Sequence, residues 1–285
     1  MTFSIVARSA DGRSHGVAVA SRFLAVGAAV PAAEAEVGAL ATQSYANLAY
    51  RQQGLTLLRT GVDAVGVVAG LTAADHDREQ RQLGVVGVAG EGASHTGTGC
   101  HPWAGGRTGD GYAVQGNILT GPEVVVAMEV AWLAGDPAEP LAQRLLAALR
   151  AGDDAGGDRR GRQSAALLVV ARGQGYGGGS DVAVDLRVDD HPDPVGELAR
   201  LLTLHRLHFD RPDPATLLEL SGPLAAEVAG RLAAMGHVDT DLDAALASWA
   251  GIENLEERLV PGRIDPLVLA HLRAPDGAHR SGRQG

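Results

Sequence analysis

What limits the fold of this chain most is the order in which two hydrophobic periodicities follow one another. Residues 2–8 and 15–21 are apolar, β-branched runs joined by the turn chemistry of Ser9-Ala10-Asp11-Gly12-Arg13-Ser14, and so read as a hairpin. A third such run covers 37–46. From Leu55 the period changes: Leu55, Leu58, Val62, Val65 and Ala69 lie three or four apart, the stripe of one amphipathic helix. Strand-like runs return at 83–89 and 112–117, with a glycine-rich loop between them. Two helices then follow directly on each other. Thr120-Gly121-Pro122-Glu123 opens the first with capping-box spacing, and Asp136-Pro137-Ala138-Glu139 opens the second, expected to stop at Gly152. Strands resume at 165–172 and 182–188, and Asp193-Pro194 opens another helix.

This order lacks the strict strand–helix alternation of a doubly wound parallel sheet. It fits an α+β class, with antiparallel sheets and helices packed on their outer faces. A composition shift at Asp210-Arg211-Pro212-Asp213-Pro214 marks a boundary. Beyond it Ser221 can cap a helix carrying Leu224, Val228, Leu232 and Met235 and ended by Gly236. Leu242, Leu246 and Trp249 mark a second helix, and Asp265-Pro266 opens a third. The expected organisation is a main domain over 1–209, a small helical module over 212–273 and a flexible tail over 274–285.

Composition removes whole classes of chemistry. All 24 basic residues are arginine, so a phosphate loop ending in Gly-Lys, a lysine Schiff base and a lysine nucleophile are all excluded. The net charge of −10, with 4% aromatic residues, argues against a nucleic-acid partner. No apolar run is long enough to span a bilayer, and the N-terminal stretch lacks a signal-peptide pattern. The expectation is therefore a soluble, cytoplasmic protein with no membrane partner. Cys100 is the single cysteine, and neither it with His95 and His101 nor the Asp185, Asp189, Asp190, His191 run offers a convincing ligand set. No metal and no cofactor are expected.

Thr2 carries the sharpest chemical signal. Removal of the small-residue-flanked Met1 would place a hydroxyl and a free α-amine on one residue, a nucleophile with its own base, because an α-amine titrates near pH ~7.7–8.0. Threonine at position 2 also occurs with no catalytic meaning.

The blocks Thr2-Phe3-Ser4-Ile5-Val6-Ala7-Arg8, Val17 through Gly27, Ala41-Thr42-Gln43-Ser44-Tyr45-Ala46-Asn47, Pro102-Trp103-Ala104-Gly105, Val114 through Leu119 and Gly157 through Ala166 resemble the bacterial and archaeal family known as domain of unknown function 1028. The opening hairpin also resembles that of N-terminal nucleophile hydrolases. The resemblance implies a four-layer αββα sandwich and an amidohydrolase acting on a small amide or peptide-like bond. The region from Leu224 to Leu272 resembles a peptidoglycan-binding module, which implies a glycan or peptidoglycan fragment as a partner there.

Carried onto this sequence, the resemblance gives a set of candidates, each of which also fits an ordinary structural role. Thr2 is the nucleophile, with Ser21 and Arg22 beside its amine. Proteasome-like relatives keep a lysine near the nucleophile; here Arg22 or Arg160 would have to supply the positive charge, and neither can act as a base. Gln43, Ser44 and Asn47 lie where an oxyanion hole could form, and Asn117 is a second such candidate. Asp158, Arg160 and Ser164 lead into a buried strand, where Arg160 could clamp a substrate carboxylate and Asp158 could orient it. The rival reading is a non-catalytic metabolite- or glycan-binding protein on the same scaffold. Self-association as a homo-oligomer stays open.

Overall fold

The computed structural model describes residues 2–274. It divides into two compact units, one ending at Leu202 and the other beginning at Thr203. The first unit contains β1 (Thr2–Arg8), β2 (Ser14–Ser21), α1 (Val26–Ala29), β3 (Pro31–Glu34), β4 (Gly38–Ser44), α2 (Ala49–Arg59), α3 (Ala64–Ala73), β5 (Arg81–Gly87), β6 (Ala93–Thr96), β7 (Gly105–Gly109), β8 (Tyr112–Asn117), α4 (Glu123–Ala134), α5 (Leu141–Asp154), β9 (Ser164–Ala171) and β10 (Val182–Val188). Helix α6 (Pro194–Phe209) crosses the division. The second unit adds β11 (Leu218–Glu219), α7 (Gly222–Ala234), α8 (Leu242–Glu253), β12 (Arg263–Ile264) and α9 (Pro266–Arg273).

Two antiparallel sheets form the centre of the first unit. One has the order β10-β9-β2-β1-β8-β7 and the other β3-β4-β5-β6. The strand period of two assigns each residue to a face. Phe3, Ile5, Ala18 and Leu167 point outward and pack with Val124, Met128, Leu145, Leu149 and Leu198 of α4, α5 and α6. Val6, Val17, Val19 and Ala166 point inward and meet Ala39, Ala41 and Val86 of the smaller sheet. That sheet in turn turns Leu40, Leu83 and Val85 toward Leu55, Leu58, Val67 and Leu71 of α2 and α3. The layer order is thus helix, sheet, sheet, helix.

Several details depart from the sequence reading, among them the start of α5, which begins at Leu141 after Pro140 rather than at Asp136-Pro137. The stripe from Leu55 to Ala69 is two helices, because Gly61 adopts a left-handed φ of 89° and the Asp63 side chain caps α3 by accepting from Gly66 N at 2.7 Å. Gly152 does not stop α5, which runs on to Asp154. A Cβ there would stand 2.6 Å from Met128 Cγ, so this glycine lets α4 and α5 approach. The glycine-rich loop between β5 and β8 contains the short strands β6 and β7.

In the second unit Val228, Leu232, Leu246, Trp249, Val268 and Leu269 gather α7, α8 and α9 around one core. A buried ion pair joins Arg258 and Asp265, and Arg258 Nε also donates to Leu207 O at 2.7 Å. Asp265 caps α9 by accepting from Leu267 N at 2.7 Å, as its Asp-Pro start predicts. The tail expected over 274–285 lies, from residue 275 onward, outside the described residues. Among the described residues no helix is long and apolar enough to cross a membrane.

Candidate active site

The inner faces of the two sheets change character along their length. Toward the hairpin end they are mostly valine and alanine around the buried His15. At the other end the same alternation brings Thr2 and Ser4 of β1, Ser21 of β2, Gln115 and Asn117 of β8, Gln43 of β4 and Gln82 of β5 together, each 6% exposed or less. Register decides which of them meet. Thr2 is paired with Asn117 across β1 and β8, Phe3 is paired with Ala20 so that Thr2 comes up beside Ser21, and Gln43 faces Gln82 across β4 and β5.

Thr2 Oγ1 and Ser21 Oγ lie 3.2 Å apart, with either able to donate. Gln43 Nε2 reaches across from the other sheet and donates to the Thr2 carbonyl at 3.2 Å and to Gln82 Oε1 at 2.8 Å. Asn117 Nδ2 donates to the same Gln82 oxygen at 2.9 Å. Gln82 Nε2 then donates to Gly116 O at 2.7 Å and to Thr96 Oγ1 at 2.9 Å. Ser4 closes the cluster, donating to Gln43 Oε1 at 2.7 Å and accepting from Gln115 Nε2 at 2.7 Å. A buried amide left unpaired costs about 1–3 kcal/mol, so these mutual bonds hold the first residue of β1 in place.

The turn after β8 and the turn before β9 brace the same end. The Asp158 carboxylate accepts from the Arg22 main-chain N–H at 2.7 Å and the Arg160 main-chain N–H at 2.8 Å, and it pairs with the Arg160 guanidinium at 3.4 Å. Asp158 thereby fixes the residue that follows Ser21. Ser164, fully buried, donates to Phe23 O and accepts from Val26 N at 3.1 Å, pinning the segment between β2 and α1. Ser44 ends β4 in a left-handed conformation (φ 71°), an unfavourable state for a non-glycine residue of the kind that clusters at functional sites. Asn47 belongs to a neighbouring knot: its Nδ2 donates to Asp75 Oδ2 at 3.1 Å, where Tyr50 OH and Arg81 Nε also donate. The Arg81 guanidinium holds the Asp75 carboxyl well below the usual carboxylate range.

The structure therefore redistributes the sequence candidates. Thr2, Ser21, Gln43 and Asn117 come together. Asp158 and Ser164 bind backbone around them rather than facing outward, Arg160 is already paired with Asp158, and Asn47 is engaged by Asp75. Gln43, expected on an oxyanion or substrate, spends its amide on Thr2 and Gln82. Sequence reasoning passed over Gln82, Gln115 and Ser4 as functional positions. The available signal was polar residues at inward positions of strands, and it becomes informative only once register is known. Cys100 Sγ donates to Arg81 O at 3.4 Å, and His101 Nε2 lies 3.2 Å from Tyr45 OH. Among the described residues no group of three or more His, Cys, Asp or Glu could hold a metal ion.

Beside Ser21 is a void of about 10 Å³ lined by Phe3, Ala20, Asp153, Asp158, Gly161, Arg162 and Pro194, room for a single water. Around this end the segments leaving β2 and β4 expose Phe23, Leu24, Tyr45 and Leu48.

Residues 208–272 match the family described as "Putative peptidoglycan binding domain". The crystal structure of protein SPO2555 from Silicibacter pomeroyi, itself assigned to DUF1028, is similar at 29% identity and a TM-score of 0.64, covering 79% of this chain and 92% of that one. No curated protein matches the chain. Residues 2–198, the part that holds both sheets and the polar cluster at Thr2, match the model of the family of unknown function DUF1028, and the chain belongs to that family.

Proposed function

We propose that the protein is an N-terminal-nucleophile amidohydrolase acting on a small amide or peptide-like bond. The observation that carries this reading is the placement of Thr2: its hydroxyl lies 3.2 Å from Ser21 Oγ while Gln43 grips its carbonyl from the opposite sheet. Cleavage of the Met1–Thr2 bond frees the α-amine. The neutral amine takes the Thr2 hydroxyl proton as Oγ1 attacks the substrate carbonyl, and the resulting ammonium returns the proton to the leaving nitrogen as the C–N bond breaks. Water then hydrolyses the acyl ester and releases the acid. Ser21 is a hydroxyl donor within reach of the attacking oxygen, and the second N–H of Asn117 is an amide donor for the oxyanion.

A second reading, a binding scaffold without turnover, draws on the 6% exposure of Thr2, which gives its hydroxyl little contact with solvent. Intact mass and turnover separate the two. The hydrolase reading expects a chain beginning at Thr2 and loss of amide hydrolysis in Thr2→Ala with partial retention in Thr2→Ser. Equal turnover in wild type and Thr2→Ala refutes it. For the second unit the reading adds attachment to peptidoglycan, checked by co-sedimentation of the full chain with purified sacculi; a chain that stays in the supernatant rejects it.

A further inference from the structure

The main chains of two arginines flank the end of β1. In the sheet order β1 lies between β2 and β8. Arg22 continues β2 directly past Ser21, and its position is fixed by the bond from its main-chain N–H to Asp158 at 2.7 Å. Arg159 sits past the end of β8, where its main-chain N–H donates to Ile118 O at 3.3 Å, one residue beyond Asn117. Ser21 and Asn117 are the two strand neighbours of Thr2, so the main chains of Arg22 and Arg159 pass on either side of its strand end.

Both side chains are exposed, and each is steadied by a backbone carbonyl: Arg22 Nη1 donates to Arg162 O at 3.3 Å, and Arg159 donates to Pro102 O. Among the described residues neither lies within ion-pair distance of a carboxylate. The adjacent Arg160 and Arg162 are different, because Asp158 and Asp153 already hold them. The opposite end of the sandwich is different too, since Arg8, Arg13 and Arg172 there all meet an acid. In a chain of net charge −10, two steadied cations without acidic partners, borne by the segments on either side of a candidate nucleophile, select for an anion. A guanidinium offers five N–H donors in a planar fork that matches a carboxylate, and most of these donors remain unused on both residues.

We propose that the substrate is an amide bearing a carboxylate close to its scissile bond, and that Arg22 and Arg159 hold that carboxylate while Thr2 attacks. The inference rests on the nucleophile reading above. It moves the carboxylate clamp from Arg160, which is already paired, to the two arginines that are not.

The test uses the full chain and two probes, a β-lactone carrying a free carboxylate and its methyl ester, with the rate of adduct formation at Thr2 followed by mass spectrometry. The wild-type protein should react about tenfold faster with the acid than with the ester, in line with a charge-assisted contact discounted for exposure. The ratio should fall to about threefold in Arg22→Gln or Arg159→Gln and approach one in the double variant, whereas Arg13→Gln at the far hairpin keeps the wild-type ratio. Raising the salt to about 1 M should compress the wild-type ratio, a readout that needs no variant to fold. Equal rates for both probes in wild type, or a ratio unmoved in the folded double variant, overturn the proposal and leave the nucleophile standing. Adducts at Thr2 with neither probe overturn the nucleophile reading and this inference with it.

Discussion

Replacing Gln82 by methionine should loosen the end of the sandwich that holds Thr2. The side chain is fully buried, and methionine keeps nearly its volume and flexibility while removing every hydrogen bond. Its oxygen accepts from Asn117 at 2.9 Å and from Gln43 at 2.8 Å, and its nitrogen donates to Gly116 O at 2.7 Å. Gln43 Nε2 keeps the Thr2 and Gln115 carbonyls as acceptors, so its loss is partial. Thr96 Oγ1 also loses its Gln82 donor but is only half-buried and can turn to solvent, which leaves the Asn117 N–H and the Gly116 carbonyl as the groups stranded. At about 1–3 kcal/mol for each buried group left unpaired, offset in part by the apolar methionine, the net loss should be about 2–4 kcal/mol. The two units need separate readouts, so the assay is hydrogen exchange of peptides from β1 and β8 in a urea series, with α7 and α8 peptides as internal reference. A change below about 0.5 kcal/mol in β1 and β8 refutes the hub role assigned to Gln82, and so does an equal change in α7 and α8. Gln82→Glu, whose protonated carboxyl keeps an acceptor for Gln43 and Asn117 and one O–H donor for the Gly116 carbonyl, should retain most of the Thr2–Asn117 pairing at low pH and lose it as the new carboxyl ionises and its donor is gone.

Gly84→Ala should destabilise the same unit by about 1–3 kcal/mol, because a Cβ there would stand 2.5 Å from Gln115 Cδ, whose amide is tied to Ser4; a melting temperature equal to wild type counts against that packing. In the second unit Glu227 of α7 accepts from Arg273 of α9 at 2.7 and 2.8 Å and from Arg231 at 3.1 Å, and the Arg273 bonds, foremost, bring its pKa down to about 2 from the ordinary 4.5. A lowered carboxyl pKa means that the unfolded chain binds the proton more tightly, so this contribution is complete above pH 4.5 and is lost as the pH falls toward 2. Glu227→Gln should abolish that part of the acid sensitivity of α9 exchange; an identical pH profile in the variant contradicts the clamp.

Much of the architecture was legible because it rests on local chemistry. The first hairpin follows from its turn residues: Gly12 takes φ 72°, and Ser9 N donates to Ser14 O at 2.9 Å. β8 and β10 fall on the expected residues 112–117 and 182–188, since both are bounded by strong turn signals. What the sequence hid is non-local. β3, β6 and β7 are edge strands rich in small residues that owe their conformation to pairing rather than to propensity. The Thr120–Glu123 capping box is unused, because Pro122 takes the cap position of α4 without a side-chain bond. At the site, Thr2 announced itself through the chemistry of one residue. The glutamines around it looked like ordinary strand polars until register set Gln43 against Gln82 and Thr2 against Asn117. Asp158 and Ser164 were recognisable as a polar group at a strand mouth, but only the fold reveals that they bind the Arg22 and Val26 backbone.

The most direct measurement is mass-spectrometric mapping of the full chain after exposure to a β-lactone electrophile. The expected result is a polypeptide that begins with the threonine, one adduct on that residue, and no adduct when it is replaced by alanine. A chain that retains its leading methionine, or an adduct carried instead by Ser21 or Cys100, contradicts it.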